Sequence, residues 1–134
     1  MLQSLYPNLS PEAARLKSPL ALAFLGDTVW DLLVRRALLE TGQKAGGLHR
    51  LAVRSVNAHA QAMTMERLEP FLTEEELAVY HRGRNAHAKH APPKNQDPMD
   101  YSRASGLEAL LGYLYLIGAT DRICELFDIA HVIP

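Results

Sequence analysis

The chain has 134 residues, 48% of them hydrophobic and 22% charged, with a formal net charge of −1. This is the composition of an ordinary globular protein with enough residues for a real core. No basic start leads into an apolar run as in a secretory signal, no stretch is apolar enough to span a membrane, and the single cysteine, Cys124, excludes an internal disulfide, so a cytoplasmic protein is expected.

The periodicity is helical almost throughout. Ser10-Pro11 followed by Glu12 reads as a short helix with serine as its cap and proline at its first position, and Ser18-Pro19 restarts the chain. A long, mostly buried helix is expected from Pro19 to about Glu40, closed by Thr41-Gly42, with Asp31 and Arg35 paired one turn apart. A third helix is expected from about Gly47 to Met65, with Arg50, Arg54, Asn57 and Gln61 along one polar stripe. Thr73 with Glu76 fits a capping box and opens a fourth helix to about Arg82. Residues 84–100, RNAHAKHAPPKNQDPMD, show no clean period and contain three prolines, which reads as a long loop of the kind that carries function. SRASGLEALLGYLYLIG then reads as a strongly apolar helix, and Thr120-Asp121 as the cap of a last helix to about His131, on which Cys124 is expected as a passive buried thiol. No repeat, strand alternation or linker divides the chain, so one all-α domain of about six to seven helices is expected over residues 1–134.

Charge is distributed unevenly. No acid lies between Thr41 and Met65, where Lys44, Arg50 and Arg54 stand, and none between Leu77 and Gln96, where Arg82, Arg84, Lys89 and Lys94 stand. A nearly neutral protein with two acid-free basic segments is expected to have a positive side.

Two carboxylates interrupt apolar helices. In LAFLGDTVWD, residues 22–31, Asp27 follows a run uncharged since Lys17, and Glu108 is the one charged residue between Ala104 and Ile117. A charge in such a place must be paired, hydrated or bound, because burying it alone is very costly. If the two helices cross near these residues, the acids would either share a proton or hold a cation. A hard divalent ion is bound by one or two carboxylates together with water and phosphate oxygens. Spacing alone leaves open the plainer alternative, in which each acid turns outward or caps a backbone group.

LAFLGDTVWDLLV resembles the signature segment of ribonuclease III catalytic domains, and GLEALLGYLYL resembles the second motif of that family. RGRNA at 82–86, PKN at 93–95 and the short length are similar to the Mini-ribonuclease III subfamily, a catalytic domain without a double-stranded RNA-binding domain. The resemblance covers about Leu16 to Phe127. It implies that Asp27 and Glu108 are catalytic metal ligands for Mg²⁺, with Mn²⁺ as a substitute, and that Asp31 has a structural role. It also implies a homodimer with Phe24 packed against the partner chain. Leu20, Ala23 and Ser105 stand where full-length members of the family carry further acids.

The resemblance implies a metal-dependent endoribonuclease that cuts double-stranded RNA, leaves 5′-phosphate and 3′-hydroxyl ends, and matures the precursor of large-subunit (23S) ribosomal RNA. Without a separate RNA-binding domain, affinity must come from the catalytic domain itself. A-form duplexes are recognised largely through shape, phosphates and 2′-hydroxyls. Arg82, Arg84, Lys89 and Lys94 are the leading candidates for these contacts, followed by Arg50, Arg54, Asn57 and Gln61. The rival expectation is a catalytically inactive, ribosome-associated RNA-binding module of the same fold; the missing acids favour it and the intact Asp27 and Glu108 oppose it.

Overall fold

The computed structural model describes residues 7–88 and 94–132. Among them the chain is all-helical: α1 (Pro11–Arg15), α2 (Pro19–Leu39), α3 (Ala45–Val56), α4 (Ala58–Leu68), a 3-10 turn (Glu69–Phe71), α5 (Glu74–Ala88), α6 (Pro98–Leu116) and α7 (Thr120–Ala130). The helix starts follow the caps in the sequence. Ser10 Oγ accepts from Ala13 N at 3.1 Å and Ser18 Oγ from Ala21 N at 3.0 Å, with proline next in line each time. Thr73 Oγ1 accepts from Glu76 N at 3.1 Å while Glu76 Oε1 accepts from Thr73 N at 2.9 Å, which is the reciprocal capping box. Gly42 takes the left-handed conformation (φ +73°) just beyond α2. The expected Asp31–Arg35 pair forms on the exposed side of α2 at 3.0 Å.

α6 is the central helix, packed against α2, α4 and α5. Its Leu107, Leu110, Leu111, Tyr113 and Leu114 are all buried, and each such leucine contributes roughly 1.5–3 kcal/mol relative to exposure. Trp30 of α2 is buried with its ring edge against Phe127 of α7, 5.7 Å between centroids, which joins the last helix to the same core. Arg122 of α7 bonds both carboxylate oxygens of buried Glu76 at 2.8 Å and holds the start of α5.

α2 and α6 cross at two glycines. A Cβ on Gly26 would lie 1.6 Å from the backbone oxygen of Glu108, and one on Gly112 would lie 2.0 Å from the backbone oxygen of Leu22. The axes therefore approach more closely than any side chain would allow, and the residues beside the glycines, Asp27 and Glu108, are brought face to face.

Four expectations are corrected. The helix expected from Gly47 to Met65 is two helices. Asn57 has extended backbone (ψ 161°), and its side chain accepts from Ala60 N at 2.9 Å and donates to Arg54 O at 2.8 Å, so one asparagine ends α3 and starts α4. Arg50, Arg54, Asn57 and Gln61 consequently do not share a stripe. α5 continues to Ala88, six residues past its expected end, and α6 starts earlier at Pro98 under the cap of Asp97, so both ends of the expected loop are helical, while residues 89–93 of it lie outside the described residues. α5 meets α6 there through buried Gly83, a residue that adds nothing to an apolar period. Thr120 is the first residue of α7 rather than its cap, since Ala119 precedes the helix without a side-chain bond. Cys124 is exposed, on the outer face of α7.

Candidate active site

The site is built where the glycine crossing brings α2 and α6 together. Asp27 is exposed and Glu108 is partly buried beside it. Glu108 is pushed up to about 8, first by burial, then by its hydrogen bond to Asp27 and by the charge on Asp27. Neither acid forms an ion pair among the described residues. Two carboxylates thus face each other with no counter-charge among the described residues, the arrangement in which like charges either share a proton or hold a cation.

α4 closes a third side. Gln61, on its first turns, is 3% exposed, and its amide lies against the Glu108 carboxylate and favours the ionised form. Its Nε2 is a buried donor without a hydrogen-bond partner. The turn that carries it is clamped to α6, because His59 Nδ1 bonds Asp100 Oδ2 at 2.9 Å. α3 is tied to α2 by Trp30 Nε1, which donates to Ser55 O at 3.1 Å one turn beyond Asp27. That bond fixes the last turn of α3, with Arg54 exposed on it.

The donor set is the two carboxylates, whose oxygens are hard donors to be completed by water and phosphate oxygens. Such a set fits a hard divalent cation such as Mg²⁺ or Mn²⁺. Leu20, Ala23 and Ser105 stand near it at the positions where the resemblance leads one to expect further acids, and Ala23 and Ser105 are buried.

The proposed RNA contacts are scattered by the fold. Arg50 and Arg54 are exposed on α3. Asn57 is committed to capping, and Gln61 is too deeply buried to touch a duplex, so it belongs to the carboxylate site instead. Arg82 is exposed, but its Nη1 donates to the backbone oxygen of Arg15 at 3.0 Å. Arg84 lies over the Tyr80 ring, 5.7 Å from its centroid, and lines a cavity of about 260 Å³ with Glu66, Glu69 and Arg103. Lys94 is exposed, and Lys89 lies outside the described residues. Phe24 is 84% exposed on α2, in register with exposed Leu20 and with Leu16 just before the helix.

Gln61 was expected on the RNA face, and its burial at the carboxylate site and the His59–Asp100 bond escaped the sequence reading. The signal for Gln61 was the Val-Asn-Ala step, where an asparagine can end one helix and cap the next; it changes which face residue 61 presents.

Comparison with known proteins places the chain in sequence and in fold. A family model described as "Ribonuclease III domain" matches residues 20–118. The chain is 48% identical over 113 residues to a Mini-ribonuclease 3 from Symbiobacterium thermophilum, covering 84% of this chain and 86% of that one. It is 47% identical over 119 residues to a Mini-ribonuclease 3 from Brevibacillus brevis, covering 88% of each. A crystal structure of a Fusobacterium nucleatum protein superposes with a TM-score of 0.77 at 31% identity, covering 86% of this chain and 92% of that one.

Proposed function

The chain belongs to the ribonuclease III family, and on that premise we propose that it is a divalent-metal-dependent endoribonuclease that cuts double-stranded RNA. The observation that carries this reading is the facing pair Asp27 and Glu108, unpaired by any cation among the described residues and brought together by Gly26 and Gly112. Asp27 and Glu108 would hold Mg²⁺, with Mn²⁺ as a substitute. When bound, the metal supplies Lewis acidity for water attack on the scissile phosphate and charge stabilisation for the leaving oxygen. With the 3′ oxygen as the leaving group the P–O3′ bond breaks as water adds to phosphorus, which gives products with a 5′-phosphate and a 3′-hydroxyl.

The residues of this chain do the binding and orienting. Asp27, exposed at the mouth of the site, is accessible to a phosphodiester, while Glu108 is held from behind. Arg50 and Arg54 on α3 are the exposed cations best supported as phosphate contacts, because the Trp30–Ser55 bond fixes their helix beside Asp27. Arg82, Arg84, Lys89 and Lys94 extend the basic surface along the second acid-free segment.

The reading includes a homodimer of one-domain chains. Leu20 and Phe24 are exposed one turn apart on α2, with exposed Leu16 just before it, and a two-fold axis there would give two sites suited to the two strands of a duplex. The reading further assigns the protein a cytoplasmic role in maturing precursor large-subunit ribosomal RNA, which is what the resemblance of its two motifs, of RGRNA and of PKN to the Mini-ribonuclease III subfamily implies. No helix among the described residues is long and apolar enough to cross a membrane. The test is to incubate the protein with a duplex containing the base-paired ends of that precursor and to map the products. Discrete cuts bearing 5′-phosphates are expected, and an intact duplex under conditions where the protein binds it would overturn the reading.

A further inference from the structure

We propose that Asn57 is a positioning residue for duplex binding, whose side-chain amide fixes the last turn of α3 so that Arg54 meets a phosphate of the RNA backbone. The inference rests on the reading of Arg54 as a phosphate contact.

The end of α3 is held by side chains from outside the helix. An α-helix leaves its last four carbonyls without an intrahelical donor. In α3 these belong to residues 53–56. Asn57 Nδ2 donates to Arg54 O at 2.8 Å and to Val53 O at 3.3 Å, and Trp30 Nε1 of α2 donates to Ser55 O at 3.1 Å. Three consecutive carbonyls are thus tied down by two side chains.

The same asparagine grips the next helix. Its Oδ1 accepts from Ala60 N at 2.9 Å and so caps α4, which is anchored to α6 by the His59–Asp100 bond at 2.9 Å. Serine or aspartate would cap α4 about as well. An ionised aspartate has no proton to donate, and serine has one hydroxyl where asparagine has an oxygen and two N–H groups. Asn57 is exposed, so water could serve the α3 carbonyls without it. What the amide adds is a fixed joint.

Arg54 sits in the middle of that joint. Its side chain is exposed and forms no ion pair among the described residues, while its own carbonyl is one of those that Asn57 holds. Two effects favour a phosphate there. A backbone fixed in advance reduces the ordering cost of binding. The free carbonyls of a helix C-terminus carry about half a negative charge, which repels a phosphate, and the N–H groups of Asn57 and Trp30 aimed at them offset it.

The test is binding of a fluorescently labelled RNA duplex in EDTA, followed by anisotropy over a range of salt concentrations. Wild type, Arg54→Ala, Asn57→Ser and the double variant are compared, each with its melting temperature. Serine keeps an oxygen for Ala60 N and removes the amide. Arg54→Ala should weaken binding and reduce the salt slope by about one. Asn57→Ser should melt close to wild type and bind about two- to tenfold more weakly, and the double variant should bind no worse than Arg54→Ala alone. Wild-type affinity in Asn57→Ser would overturn the proposal. So would losses that add in the double variant, which would make Asn57 a contact in its own right, or a melting temperature in Asn57→Ser well below wild type, which would make it a folding residue. Wild-type affinity and salt slope in Arg54→Ala would instead overturn the reading of Arg54, and the inference with it.

Discussion

Asp27 and Glu108 meet side chain to side chain across the crossing of α2 and α6, where burial and the neighbouring Asp27 push Glu108 up to about 8. The arrangement makes the metal-free protein less stable than it could be. A carboxyl group whose folded pKa lies above its ordinary 4.5 contributes stability below that value, which is lost as pH rises through about 8. Glu108→Gln removes the penalty. The variant should melt a few degrees above wild type in EDTA at pH 8 and close to it at pH 4.5. A variant that melts below wild type at the higher pH would contradict this reading of the pair.

The closeness of the two helices rests on glycine. Gly26→Ala would place a methyl group 1.6 Å from the Glu108 backbone oxygen, and backbone cannot rotate away as a side chain can. The helices must separate, at a cost of about 3 kcal/mol or more, and the acids separate with them. Chemical denaturation should show the loss, and any folded fraction should bind Mn²⁺ more weakly than wild type. Wild-type stability in Gly26→Ala would show that the crossing is looser than described.

Acid should unfold the protein through Glu76. Its carboxylate is buried, bonded by Arg122 and by Thr73 N, and held below its ordinary 4.5 chiefly by the Arg122 hydrogen bonds. A depressed pKa gives stability that is present above about 4.5 and lost as pH falls through the folded value. Glu76→Gln should therefore destabilise the chain by about 1.5–3 kcal/mol at pH 7, and the gap should narrow in acid. Denaturation at pH 7 and at pH 3 checks both parts, and a gap independent of pH would assign the loss to packing alone.

Phe24 is the most direct test of the proposed dimer. Its ring is 84% exposed on a helix whose opposite face is buried. Phe24→Glu should leave the fold and the metal site of one chain intact and shift sedimentation from dimer to monomer. A wild-type chain that sediments as a monomer at micromolar concentration would remove the two-fold site from the account.

Much of this was legible in the residues because local rules and tertiary packing agree. Ser10, Ser18 and Thr73 announce helix starts that the structure keeps, and Asp27 and Glu108 stood out as lone acids in apolar runs. Their meeting was a matter of Gly26 and Gly112, whose role as a contact is invisible to periodicity because glycine contributes nothing to an apolar stripe. The same limit hid the last turns of α5, which pack through Gly83. Gln61 was misplaced for a different reason. Extrapolating one helix through Asn57 carries residue 61 to the basic face, whereas the break at Asn57 turns it inward to Glu108.

The central claim, that the facing acids exist to hold a catalytic metal ion, is tested most directly by cleavage of a long double-stranded RNA. Wild type is incubated with Mg²⁺ and with EDTA beside Asp27→Asn, with duplex binding measured for both proteins in EDTA. Wild type should cut only with Mg²⁺, Asp27→Asn should not cut, and both should bind the duplex equally. Cutting by Asp27→Asn at the wild-type rate, or binding by wild type without cutting under any Mg²⁺ concentration, would contradict that claim.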